Sequence, residues 1–264
     1  MLADIDVKSS EATLRRLLDR AKRQSGIQLP RTFVRGTGGR SAPLAKMVRG
    51  GRGGEVRLKL FLSVVLLAGG THVHKKHGAN AVANVSSSAW ARALALPEPD
   101  SKGARRVADA QTWLSEAKLL AVRRQPGTEP FVQLLSADGG GRKWSRPTQP
   151  YVTVPIGLWS NHWMWFLDAS ELAVLIALLD FQGGRPGEDL WMEPEERMDY
   201  GLSPETWRTA TMGLADKGLV DSSYGPAPSR DFETARRRRT YRVEIDRLSS
   251  DALEAMDTAI GSVR

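Results

Sequence analysis

The sequence predicts a mainly helical fold with small antiparallel β hairpins (α+β), arranged as two consecutive units behind a basic N-terminal arm. Three observations carry this. Residues 203–220 have a marked helix start and stop and then run into an extended stretch. A similar pattern of apolar and small residues occurs earlier, over residues 107–120. Positive charge is gathered at one end: residues 1–60 hold 14 Lys or Arg against 5 Asp or Glu, a net +9, whereas residues 61–264 come to −1.

The stretch S-P-E-T-W-R-T-A-T-M-G-L-A-D-K-G-L-V begins on Ser203, whose hydroxyl can accept from an orphaned backbone amide. Pro204 follows at a position needing no amide hydrogen, and Glu205 suits the positive helix end. Trp207, Ala210 or Thr211, and Leu214 recur on one helical face, and Gly218 closes the helix before Leu219 and Val220. Residues 193–199 form a short preceding helix, joined by the tight turn Tyr200-Gly201-Leu202. Residues 219–223 and 240–245 read as two strands flanking a loop that carries Arg230 and the run Arg236, Arg237, Arg238 and Arg239.

A helix, a turn, a helix and a basic hairpin over residues 168–245 resemble the winged helix-turn-helix superfamily of DNA-binding domains. The form is that of bacterial regulators and plasmid replication initiators. Upstream, Val107, Ala110, Leu114, Leu119 and Leu120 occupy the roles of Trp207, Ala210, Leu214, Leu219 and Val220, which predicts a second copy. The resemblance therefore implies two tandem winged helix-turn-helix domains, mainly α with small antiparallel β wings, plus the basic arm.

In order, residues 1–9 read as unstructured, and residues 11–23 as a helix with Leu14, Leu17, Leu18 and Ala21 inward and basic residues around it. That helix fits a dimer seam, a DNA arm or simple docking on its own domain. Residues 26–54 alternate glycine and arginine with small residues and read as a mobile linker able to lie along phosphate. Residues 55–68 form a helix with Val56, Leu60, Val64 and Leu67 on one face. A shorter helix over residues 88–96 has Trp90 and Leu94 inward, and a third, capped by Pro99-Asp100-Ser101, runs to Lys118. Strands over residues 119–124 and 131–135 flank a Pro126-Gly127 hairpin. The domains are thus 1–54 (arm), 55–138 (first unit), 139–150 (linker) and 151–264 (second unit). Residues 151–154 alternate as a strand; Trp159, Trp163, Trp165 and Phe166 read as core, and Ser250 as the cap of a final helix bearing Leu253, Met256 and Ile260.

With 264 residues, two domains are expected. The absence of cysteine excludes disulfides, thiolate metal sites and thiol nucleophiles. No apolar run reaches the ~18 residues of a membrane span, and the first residues lack a signal-peptide pattern, so a cytoplasmic, nucleoid-associated protein with no membrane partner is expected.

For base reading, the outer face of the first unit's third helix offers Lys102, Arg105, Arg106, Asp109 and Thr112; that of the second offers Glu205, Thr206, Arg208, Thr209 and Met212. Arginine or lysine can donate to guanine O6 and N7, Thr112 can touch a thymine methyl, and Arg236, Arg237, Arg238 and Arg239 suit phosphates. Residues 168–200 carry 2 basic against 9 acidic side chains, which makes the front of the second unit a poor phosphate surface. His72-Val73-His74, with His77, is similar to the metal-holding motif of rolling-circle initiators, but no tyrosine is placed to accompany it. No catalytic, metal or cofactor motif is assigned, and the chain is not read as an enzyme. The expectation is a sequence-selective binder of double-stranded DNA, dimeric, serving as a transcriptional regulator or a plasmid-type replication initiator. The alternatives are a protein-interaction module in which one winged helix mediates self-association, or a metal-dependent nicking initiator.

Overall fold

The computed structural model describes residues 5–36, 39, 41–49, 53–68, 81–82, 85–123, 131–148, 150–185, 187–226 and 237–255. The N-terminal part comprises α1 (Val7–Ala21), β1 (Gly26–Pro30), α2 (Arg31–Val34) and α3 (Pro43–Val48). A first unit follows with α4 (Gly54–Ala68), β2 (Ala81–Val82), α5 (Ser87–Ala93), α6 (Lys102–Glu116), β3 (Leu120–Arg123) and β4 (Phe131–Leu134). After β5 (Tyr151–Pro155), α7 (Gly157–Ser160) and α8 (Trp163–Phe166), the second comprises α9 (Ala169–Gln182), β6 (Leu190–Trp191), α10 (Pro194–Asp199), α11 (Pro204–Asp216), β7 (Val220–Pro226) and β8 (Arg237–Val243). A 3-10 turn spans Ile245–Ser249. Small antiparallel sheets among many helices make this an α+β protein.

Two helices lack a polar face and form the centre. α4 buries residues all round its axis rather than along the single stripe expected, and so does α9; a helix apolar on every side is stable only inside. The two pack on each other. Asp168 and Glu171 close a capping box at the start of α9, and Gly183, at φ +58°, ends it.

Around each central helix the chain repeats one series: helix, strand, helix, helix, strand, strand. The strand orders correspond, β2-β4-β3 and β6-β8-β7, all antiparallel. Buried positions in the third helices correspond too: Val107 and Trp207, Ala110 and Ala210, Gln111 and Thr211, Leu114 and Leu214. Ser203 accepts from the Thr206 amide as its position predicts. Each helix leaves through a left-handed residue, Lys118 at φ +57° and Gly218 at φ +70°. The copies differ inside: Thr211 donates to Trp207 O at 2.8 Å, whereas both amide atoms of buried Gln111 lack a partner among the described residues.

The mobile linker expected over residues 26–54 is corrected for residues 26–36 and 41–49. Ile27, Leu29, Phe33, Leu44 and Met47 are fully buried, each contributing about 1.5–3 kcal/mol, and Phe33 stacks on Phe61 with centroids 5.0 Å apart. β1 pairs antiparallel with β5, Ile27 opposite Val154 and Leu29 opposite Val152. Gly26 sits at φ +129°, where an added Cβ would lie 2.1 Å from Val154 O. The unstructured start is corrected at residues 6–9 as well, since Asp6 caps α1 by accepting from the Ser9 amide at 3.1 Å. Leu14, Leu17 and Ala21 dock α1 against α4 and α5.

Charge fastens this segment to the second unit. Asp180, on α9, has its side chain fully shielded and accepts from Arg31 Nε (2.9 Å), Arg35 Nε (2.6 Å) and the Tyr200 hydroxyl (3.0 Å). Burial, then the Asp180 charge, holds the Tyr200 hydroxyl well above the usual phenol range, against an opposing effect of Arg35. For Arg35 burial alone would lower the pKa, but its bonds and attractions to Asp180 and Tyr200 together raise it.

Lys59, 1% exposed on α4, reaches Glu55 Oε1 at 2.6 Å. Burial depresses its pKa more than Glu55, Asp168 and Glu171 restore it. The unfolded chain therefore holds more protons between the lowered folded value and about 10.4, so stability rises with pH across that window. Lys59→Met is expected to gain about 1–4 kcal/mol near neutrality and to flatten that rise, as measured by urea unfolding at several pH values.

Trp159, Trp163 and Trp165 are core, as expected, and each of these three indoles finds a partner: Trp159 donates to Ser63 Oγ (3.0 Å), Trp163 to Ser250 O (2.9 Å) and Trp165 to Ala93 O (2.9 Å). The final helix is capped by Asp251, which accepts from the Leu253 amide at 2.9 Å, rather than by Ser250. Met256, Ile260 and the Pro126-Gly127 hairpin lie outside the described residues.

Candidate nucleic-acid interface

Burial of Val107, Ala110, Gln111 and Leu114 turns the opposite face of α6 outward. Lys102, Arg105, Asp109 and Thr112 are exposed there, and Arg106 is half-buried. Lys102 Nζ lies 2.6 Å from Glu98 Oε1; that hydrogen bond, then charge, raises the lysine pKa, and the same bond lowers that of Glu98. Thr112 Oγ1 donates back to Ala108 O at 3.0 Å. Arg105 and Arg106 have no ion pair or hydrogen bond of their side chains among the described residues. Ser101 holds the N-cap position, but its hydroxyl donates to Glu98 Oε2 at 3.2 Å instead of capping α6, a departure from the expected cap.

The equivalent face of α11 is closed on itself. Glu205, Arg208, Thr209 and Met212 are exposed, with Thr206 half-buried. Arg208 grips Glu205 through Nη2 (2.7 Å) and Nε (3.0 Å), Thr209 donates to the same carboxylate at 3.2 Å, and Arg208 Nη1 lies 3.3 Å from Met212 Sδ. The hydrogen bond, then charge, raises Arg208 and lowers Glu205. The one cation of this face is thus neutralised beside it. Thr206 shares its hydroxyl with Ser203 at 2.8 Å.

Two members of the arginine run are engaged within the chain. Strand alternation sends successive side chains to opposite faces, and β8 begins inside the run. Arg238 lies over the Trp191 ring at 3.8 Å and 3.4 Å from Glu193. Arg239 donates to Ser222 Oγ at 3.0 Å and stands over Tyr241. Both are half-buried near the loop end of the β7–β8 pair. Arg237 pairs with Pro226 at the described end of β8; Arg236 lies outside the described residues.

The arm behaves similarly. Arg15, Arg16 and Lys22 face solvent on α1. Arg23, however, donates to Leu66 O and Gly26 O, both at 3.0 Å, and Arg49 donates to Gly201 O. Arg31 and Arg35 on Asp180, and Arg49 on Gly201 O, are thus basic side chains of the arm that meet the second unit within the chain. Two signals for this stood in the sequence: the opposite net charges of residues 1–60 and 168–200, and the four-residue spacing of Arg31 and Arg35.

No protein-family model, curated protein or solved structure matches this chain. Among the described residues no helix is long and apolar enough to cross a membrane, and no group of three or more His, Asp or Glu could hold a metal ion. His72, His74 and His77 lie outside them.

Proposed function

We propose that this chain binds double-stranded DNA sequence-selectively, that its two repeated units are winged helices, and that α6 is the main reading element. The observation that carries the reading is the outward face of α6, where Arg105 and Arg106 have no ion pair among the described residues and stand on the third helix of a helix-strand-helix-helix-hairpin unit. Laid in a major groove, such arginines donate to guanine O6 and N7, while Thr112 offers a methyl to thymine. In this reading the protein breaks no bond and needs no cofactor. Its task is that of a bacterial transcriptional regulator or a plasmid-type replication initiator.

A second reading for the second unit alone is self-association into a dimer. It is favoured by the closed Glu205-Arg208 pair and by Met198 and Met212, which stay 69% and 47% exposed. Selecting bound fragments of the source genome with the full chain tests the whole proposal. Enriched promoters indicate a regulator, and enriched direct repeats an initiator. Failure to enrich any duplex, with no binding even in dilute buffer, would overturn DNA binding.

A further inference from the structure

The sheet of β1 and β5 has an open edge. Ile156 donates to Ser25 O and Arg31 to Pro150 O, so residues 150, 152, 154 and 156 turn their backbone groups toward β1. By alternation, Tyr151 and Thr153 turn theirs the other way, and among the described residues no strand lies on that side.

That edge forms one wall of a cavity of ≈ 560 Å³, within the roughly 300–1,000 Å³ of ligand pockets. Leu179 and Ile245 supply apolar surface, and Gly184, at φ +86°, leaves space where a side chain would stand. Arg31 lies at the Tyr151 end. Its Nε is held by Asp180, while its Nη groups have no hydrogen-bond partner among the described residues. Asp180, already engaged by Arg31, Arg35 and Tyr200, fixes this guanidinium without leaving an unmatched charge of its own.

We infer that this cavity takes the C-terminal end of an extended peptide as an added antiparallel strand on β5, its terminal carboxylate on Arg31. Direction follows from geometry: a strand antiparallel to β5 ends beside Tyr151, the end where Arg31 stands. Tyr151 and Thr153 each offer an N–H and a C=O, two residues apart, matching the repeat of a strand. Main-chain bonds then supply affinity and the guanidinium reads the carboxylate, a charge-assisted fork.

The test uses the full chain and fluorescein-labelled tetrapeptides randomised over apolar residues, with a free carboxylate or a C-terminal amide, titrated by anisotropy. The free-acid pool is expected to bind and the amide pool to bind roughly tenfold or more weakly, the loss of one charge-assisted bond. Arg31→Gln should erase the preference for the acid. Because that change also touches Asp180, Thr153→Pro is the second variant: its lost N–H is not used by β1, so the sheet should persist by circular dichroism while peptide binding falls. Equal binding of acid and amide, no binding of either pool, or full binding by folded Thr153→Pro would overturn the inference. DNA binding plays no part in these readouts.

Discussion

Asp180→Ala is expected to lower the unfolding free energy by about 3–5 kcal/mol, read as a shift of the urea midpoint with little change in slope. The carboxylate has no exposed side-chain surface and serves three donors, two of them the guanidinium groups of Arg31, on α2, and Arg35, just after it. Its removal leaves Arg35 and the Tyr200 hydroxyl without their acceptor where water has little access. Tyr200→Phe removes one neutral donor and is expected to cost only about 0.5–1.5 kcal/mol. The ratio of the two losses tests whether the paired charges of Arg31 and Arg35 or the Tyr200 hydroxyl supply most of what Asp180 holds together. Similar losses would show that the bond from the Tyr200 hydroxyl, rather than the two guanidinium groups, accounts for most of what Asp180 contributes.

This fastening was the least legible part of the sequence. Capping is local, so Ser203, Pro204 and Gly218 announced α11 within a few residues of its ends. The repeat was legible for the same reason, because Val107 through Leu120 and Trp207 through Val220 face the same packing problem at the same spacing. Residues 26–54 failed a reading by composition: glycine and arginine dominate the count, but Ile27, Leu29, Phe33, Leu44 and Met47 decide the outcome. Each sits where a partner distant in sequence covers it, β5 for Ile27 and Leu29, α4 for Phe33, and no local pattern names such partners. The candidate interface was legible in part. Helical periodicity placed the outer face of α6, but which arginines stay unpaired depends on neighbours such as Glu205, Glu193 and Asp180.

Arg105→Ala combined with Arg106→Ala is expected to weaken binding to a selected site by about a hundredfold or more, since each good arginine–guanine pair is worth roughly 1–3 kcal/mol of discrimination. Binding to unrelated duplex should change far less, so the ratio of specific to non-specific affinity collapses. The arginine run should divide between Arg237 and Arg238, one residue into β8. Neutralising Arg236 and Arg237 is expected to reduce the slope of log affinity against log salt by about 2, the signature of lost phosphate contacts. Arg238→Ala with Arg239→Ala should leave that slope nearly unchanged and instead lower the unfolding midpoint, because these side chains are engaged by Trp191, Glu193, Ser222 and Tyr241. Titrations at three or more salt concentrations, paired with unfolding curves for each variant, separate the three behaviours. If all three double variants lost specific affinity alike, with no difference in slope, α6 would not be the reading element and the exposed face of α11 would have to be considered in its place.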